Sequence, residues 1–151
     1  MLAALSSCMG NVSYMAFRTI DPKGWSQMDT LSYPIDSLEC HGSYGIHLLL
    51  HTEEYPYTNL ALNITVKQDS VLLLDTVARY DLNTSSAVRS VPHRSDYVFP
   101  LCEVELCDTS SMDVYINHLM KDSHLKGLRE VGIRLELPMR KLQEPEWRVS
   151  W

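Results

Sequence analysis

Leu60, Leu62, Ile64 and Val66 fall on every second residue, with Ala61, Asn63, Thr65 and Lys67 between them. A period of two predicts a strand with one buried face. Gln68 and Asp69 make a short polar break, and residues 71–80 form a second β-rich run. The stretch therefore predicts a hairpin, around which the rest of the chain supplies further strands. Residues 12–20 predict a first strand, Asp21-Pro22-Lys23-Gly24 a turn, and residues 29–35 a short strand. In residues 44–51, Tyr44, Ile46, Leu48 and Leu50 share one face, while Gly45, His47, Leu49 and His51 share the other. Residues 53–58 connect this strand to the hairpin through the stiff Tyr55-Pro56-Tyr57 unit. Residues 83–95 are polar and read as a loop, the segment expected to move most. Residues 97–107 predict a strand with Val98, Cys102, Val104 and Leu106 on one side and Glu103 and Glu105 on the other. Pro100 within it is expected at an edge or a bulge. Residues 112–119 predict another strand, and residues 121–129, with Gly127, a connection or one helical turn. Residues 131–137 alternate, with Val131, Ile133, Leu135 and Leu137 inward and Arg134 and Glu136 outward. The tail from Pro138 to Trp147 and Trp151 has no clear period.

About eight short strands with almost no 3.6-residue period predict an all-β fold. The expected form is a single antiparallel β-sandwich, immunoglobulin-like or jelly-roll-like. A closed barrel is the alternative. A parallel α/β fold is disfavoured because the pattern offers no crossover helices. The division expected is 1–11 as residual signal and tether, 12–137 as the β-sandwich, and 138–151 as a C-terminal tail.

The 151 residues suffice for one core. A formal net charge of −6 without a basic cluster argues against nucleic acid as a partner. No apolar run is long enough to cross a bilayer as a helix.

Leu5-Ser6-Ser7-Cys8 resembles a bacterial lipobox: an aliphatic residue, two small residues, then cysteine. Leu2 to Leu5 resembles the end of a signal-peptide apolar region, although the basic region and most of the apolar region are missing. The resemblance implies a diacylglyceryl group on the Cys8 thiol, cleavage before Cys8, and acylation of the new amine. Acyl chains buried at about 0.8 kcal/mol per CH₂ would anchor the domain stably.

Several segments together resemble the gliding-motility lipoprotein GldH family of Bacteroidetes. They are the lipobox-like Leu5–Cys8, Trp25 followed by Asp29 and an apolar strand, and Tyr55-Pro56-Tyr57-Thr58-Asn59-Leu60. The last is Leu125-Lys126-Gly127-Leu128-Arg129-Glu130-Val131-Gly132-Ile133-Arg134-Leu135-Glu136. The middle loop departs from the family pattern, since residues 83–95 hold neither Trp nor Gly. The resemblance implies a lipid-anchored envelope protein, on the periplasmic face of the inner or outer membrane, associated with gliding machinery. Members also occur in bacteria that do not glide. It brings no catalytic residues and no cofactor. Its partners would be other envelope proteins and the membrane itself, through Cys8. The matched residues read as structural: Pro56 stiffens a strand approach, and Asn59 can bond a turn backbone. Gly127 and Gly132 suit positive φ or close approach. Arg134 reads as a surface or paired charge rather than a ligand.

Other candidate residues have plain readings. His47 and His51 lie about 13 Å apart along a strand, too far to share one metal ion. Cys102 and Cys107 would lie about 16 Å apart on a straight strand, too far for a disulfide. With Cys8 acylated, three thiols remain, and one intrachain bridge would use Cys40. Cys102 is expected as a buried core thiol, and nothing sets a histidine beside either cysteine to activate it. Asp-Ser/Thr-aliphatic triplets occur at Thr30, Ser37, Ser70 and Thr76. They resemble the O-glycosylation acceptor of Bacteroides-type bacteria. Ser70, opening from a hairpin turn, is the best placed, while Thr76 lies mid-strand and is expected to be less accessible. The sequons at Asn11, Asn63 and Asn83 matter only in a eukaryotic secretory route. Phe17, Trp25, Tyr55, Tyr57, Tyr97 and Tyr115 could line a sugar or peptide groove, or serve as core and edge packing. The function expected is a non-enzymatic interaction module; a glycan- or peptide-binding sandwich is the alternative.

Overall fold

The computed structural model describes residues 12–35, 42–83, 87–106 and 111–136. The expectations for Cys8, Ser37, Cys40, Cys107, Leu137 and the C-terminal tail lie outside these residues. Eleven strands form among the described residues: β1 Val12–Thr19, β2 Trp25–Ser26, β3 Leu31–Ile35, β4 Gly42–Glu53, β5 Asn59–Gln68, β6 Val71–Asp81, β7 Arg89–Val91, β8 Arg94–Leu106, β9 Met112–His118, β10 His124–Leu125 and β11 Leu128–Glu136. Eight are long, and β2, β7 and β10 are short additions. One sheet has the order β1-β11-β4-β8-β7, and a second the order β3-β9-β5-β6. All pairings are antiparallel. Neither sheet closes on itself, so the fold is a β-sandwich and not a barrel.

The core lies between the two inner faces. From one sheet come Ile46, Leu48, Leu50, Val131, Ile133 and Leu135. From the other come Leu60, Leu62, Ile64, Val66, Val114 and Ile116. Each is the inward residue of an alternating strand, and burying each stabilises the fold by about 1.5–3 kcal/mol. Tyr33 on β3 crosses the layer, its hydroxyl donating to the Val131 carbonyl of β11 at 2.5 Å. The small pair β2–β10 closes one end, where Trp25 is buried with its indole N–H on the Asp29 carbonyl at 2.9 Å.

Three expectations need correction. Residues 83–95 are not all loop, because Arg89–Val91 forms β7, which pairs with Arg94–Asp96 at the start of β8. Residues 121–129 contain no helical turn; His124 and Leu125 pair with Ser26 and Trp25. Val98 does not share a face with Cys102. His47 pairs with Pro100 and Ile46 with Cys102, so Leu101 is an extra residue. This bulge reverses the alternation: Tyr97 and Phe99 turn inward before it, Cys102 and Val104 after it. Pro100 sits at a bulge, as its missing N–H requires.

Both glycines singled out in the sequence are required. Gly127 has φ +101°, and a Cβ there would lie 2.5 Å from the Tyr55 Cα. A Cβ on Gly132 would lie 2.6 Å from the Phe17 ring and 2.7 Å from the Ala16 carbonyl.

Candidate functional site

Three surfaces carry chemistry beyond the core: the outer face of the β1-containing sheet, a cavity at one end, and the edge strand β6.

The outer face is polar and laced with ion pairs, although the buried His47 Nδ1 and Arg134 Nε atoms meet Glu136 in geometry that makes no hydrogen bond. Glu130 lies opposite His51 in the ladder, and its carboxylate is 2.8 Å from the His51 Nδ1. Arg134 pairs with Glu136 at 2.7 Å, and His47 stands 3.7 Å from the same carboxylate. The Phe17 ring, admitted by the bare Gly132, stacks on His51 at 4.8 Å. His51 thus faces its own carboxylate, while His47 shares Glu136 with Arg134. No group of three or more His, Cys, Asp or Glu able to hold a metal ion occurs among the described residues.

The cavity, about 540 Å³, lies between the β4–β5 connection and the β7–β8 turn. Tyr55, Tyr57 and Tyr97 line it, with Glu54, His93 and Arg94 at its polar side. Both Glu54 and His93 have positive φ, and the Glu54 amide donates to the His93 carbonyl at 2.8 Å. The Tyr55 and Tyr57 rings meet edge to face at 5.8 Å. The Tyr57 hydroxyl donates to Asp122 at 2.7 Å, a bond that raises its pKa. Burial does the same for Tyr55, whose hydroxyl donates to the Asn59 carbonyl. Of the other aromatics, Trp25 is core, Phe17 belongs to the outer face, and Tyr115 lies beneath the Lys67 ammonium at 5.8 Å.

Cys102 is half-buried and packs against the core as a free thiol. Burial raises its pKa and keeps it protonated, a weak nucleophile. Above it the Tyr80 ring stacks on Phe99 at 4.7 Å, and burial pushes the Tyr80 hydroxyl up to about 12.

β6 lies at a sheet edge, as do β1 and the part of β8 beyond Asp96. It has no strand partner on its outer side among the described residues. The other edge of its sheet, β3, is covered: Tyr14 of β1 donates to the Pro34 carbonyl at 3.2 Å, and Arg18 to the Ser32 carbonyl at 3.0 Å. Along β6, Val71, Leu72, Leu73 and Val77 are 61%, 54%, 42% and 51% exposed. Asp69 and Ser70, both at positive φ, hold the two-residue turn that begins the strand. A second irregularity pairs Val66 with Leu74 and Lys67 with Leu72, so Leu73 is extra. Beyond it Leu74, Ala78 and Tyr80 pack inward, whereas Asp75, Val77 and Arg79 face out. An edge with open N–H and C=O groups and exposed aliphatic side chains is a template for another strand.

Of the glycosylation candidates, Ser70 and Thr30 are exposed, and the Thr30 hydroxyl accepts from Asn117 at 2.7 Å. Thr76 is exposed too, against the expectation of a shielded mid-strand residue, because its strand lies at an edge. The sequence reading also missed the openness of Val71–Leu73. Four consecutive aliphatic residues suggest a buried strand, and the signal to the contrary is the charge at Asp75, Arg79 and Asp81.

A family profile described as GldH lipoprotein matches residues 12–135. No protein of curated function matches the sequence. Among solved structures, a Sulfurospirillum deleyianum protein is 10% identical over 83% of this chain and 98% of that one, with a TM-score of 0.47. A family 35 carbohydrate binding module from Clostridium thermocellum is 10% identical over 82% and 89%, with a TM-score of 0.41. Latent PorU from Porphyromonas gingivalis is 8% identical with a TM-score of 0.40, over 83% of this chain and only 13% of its own length. Likenesses at these scores carry no argument about function.

Proposed function

The chain belongs to the GldH lipoprotein family, and from that premise we propose that it is a non-enzymatic protein-interaction module of an envelope assembly. In this reading acyl chains on Cys8 hold it at a membrane, on the periplasmic face, and the β6 edge meets its partners. Membership makes it a lipoprotein of the gliding-motility type. The lipobox-like Leu5-Ser6-Ser7-Cys8 supports the anchor. The observation that carries the contact role is the long, open β6 edge with Val71, Leu72, Leu73 and Val77 exposed. The charged groups on the outer face of the other sheet are already engaged in ion pairs with one another, which favours the edge over that face.

The test is made in the native host, from the full reading frame. A photocrosslinking residue at position 77 is compared with one at position 15, on the opposite side of the sandwich. Adducts from 77 that identify an envelope protein, and that Leu72→Asp abolishes, support the reading. Equal labelling from both positions counts against it. Mass spectrometry of the same material, with Cys8→Ala as control, reports acyl mass on Cys8 and any glycan on Ser70. An unmodified Cys8 with residues 1–7 retained overturns the anchor.

The second reading, a glycan- or peptide-binding sandwich, is favoured by the convergence of Tyr55, Tyr57 and Tyr97 on one cavity. Titration with an oligosaccharide and peptide panel tests it. Saturable shifts lost in Tyr57→Ala are its expected result, and none across the panel removes it.

A further inference from the structure

We propose that the partner of the β6 edge is β6 of a second copy, paired antiparallel about a two-fold axis at Val77. This rests on reading that edge as a contact surface and adds the identity and register of what meets it.

The register follows from geometry and charge. Directly opposite residues in an antiparallel pair share a face. A two-fold axis normal to the sheet must therefore pass through a residue position, which leaves few choices. An axis at Asp75 sets that carboxylate against itself, one at Ala78 sets Asp75 against Asp81, and one at Arg79 sets that guanidinium against itself. An axis at Thr76 sets Asp75 opposite Val77 and matches no charges. An axis at Tyr80 matches Arg79 with Asp81 but overlaps the two strands only over 79–81, against 73–81 for an axis at Val77. With the axis at Val77, Asp75 of each copy faces Arg79 of the other, so two opposite-charge pairs flank a Val77–Val77 contact. On the inner face the same register sets Leu74 opposite Tyr80, both already inward residues.

The side chains are free for this. Asp75, Val77 and Arg79 are exposed. The Asp75 carboxylate has two long contacts within its own sheet, from the Thr65 hydroxyl at 3.5 Å and the Asn63 amide at 3.3 Å, with no cation beside it, and Arg79 is in no ion pair among the described residues. The pairing would join two four-stranded sheets into one of eight strands and cover Val77 and Leu73. It would also leave no open strand edge on that side of either sheet.

The experiment uses the whole chain in analytical ultracentrifugation from low micromolar to near-millimolar concentration. Asp75→Arg and Arg79→Asp each create two like-charge pairs at the interface, and the double swap restores opposite charge. The wild type is expected to dimerise. Each single swap should weaken dimerisation about tenfold or more, and the double variant should recover it. Circular dichroism and urea midpoints check that each variant is folded, and Val77→Asp provides an independent break at the axis. A chain monomeric throughout overturns the proposal, as does a dimer indifferent to the single swaps or one the double swap does not rescue. The position-77 crosslink separates the two readings. An adduct with a different envelope protein keeps the contact edge and rejects self-pairing, whereas no adduct at all rejects both.

Discussion

His118 offers a stringent test of how the end of the sandwich is held. It terminates β9, is 2% exposed, and reaches across to the β2–β10 pair. Its Nε2 lies 2.8 Å from the Trp25 carbonyl, so that nitrogen carries the proton and donates. Its Nδ1 accepts from the Met120 amide at 3.2 Å. The ring also meets Trp25 edge to face at 5.2 Å. Only the neutral imidazole satisfies both bonds, since an imidazolium would set two donors against each other at Met120. Replacing His118 by Ala strands one carbonyl and one amide, each worth about 1–3 kcal/mol when buried, and removes the ring contact. We expect a loss of about 3 kcal/mol, read as a fall of roughly 1.5 M in the urea midpoint for a slope of about 2 kcal/mol/M. Burial, the first cause, lowers the His118 pKa against the smaller opposing effects of the Trp25 carbonyl and Asp122. The unfolded chain therefore takes up this proton first, below about pH 6.5, and the wild type loses stability as pH falls through that range. The loss cannot exceed one proton's slope, about 1.4 kcal/mol per pH unit. The gap between wild type and His118→Ala should accordingly narrow from pH 7.5 to pH 5. A gap that is constant or widens would refute the neutral-imidazole account, and a loss under about 1 kcal/mol would refute the clamp.

Tyr33→Phe removes the hydroxyl that joins the layers and should cost about 1–2 kcal/mol in chemical denaturation. Burial raises the pKa of Tyr33, Tyr55 and Tyr80, so the folded state keeps protons that the unfolded chain releases above about pH 10. Stability should therefore fall as pH rises past that point, less steeply in Tyr33→Phe, as followed by near-UV circular dichroism. Gly132→Ala drives a Cβ into both the Phe17 ring and the Ala16 carbonyl and should cost about 1–3 kcal/mol, with only the ring's share recovered in a Phe17→Ala background. Gly127→Ala adds left-handed strain to a clash with the Tyr55 backbone and should be at least as harmful, with no such rescue by a side-chain truncation.

What the sequence made legible was whatever repeats. The alternation of Leu60–Val66 and of Val131–Leu135 predicts both the strands and their buried faces, and both faces are buried. β7 left no such trace because Arg89, Ser90 and Val91 are all exposed, so no apolar period marks them. In β8, Pro100 announced a bulge, but only the partner strand determines that Leu101 is the extra residue. The Val98 error follows directly, since one inserted residue inverts every assignment on one side of it. The candidate site was hidden for a related reason. Whether an aliphatic run such as Val71–Leu74 is covered depends on what lies beside its strand, and strand order is a long-range property. The cavity aromatics were named from composition, but their division into core, face and rim required the fold.

β11 is an interior strand of its sheet, between β1 and β4, yet is the last strand of the described chain to leave the ribosome. Until it arrives, β1 has no ladder partner and is cut off from β4. Early pairing can join β4 with β8 and the β5–β6 hairpin with β9, while β1 waits for the last strand. For a protein destined for the envelope, this has a kinetic value. A nascent chain still without its last strand cannot close this sheet and so stays threadable for longer.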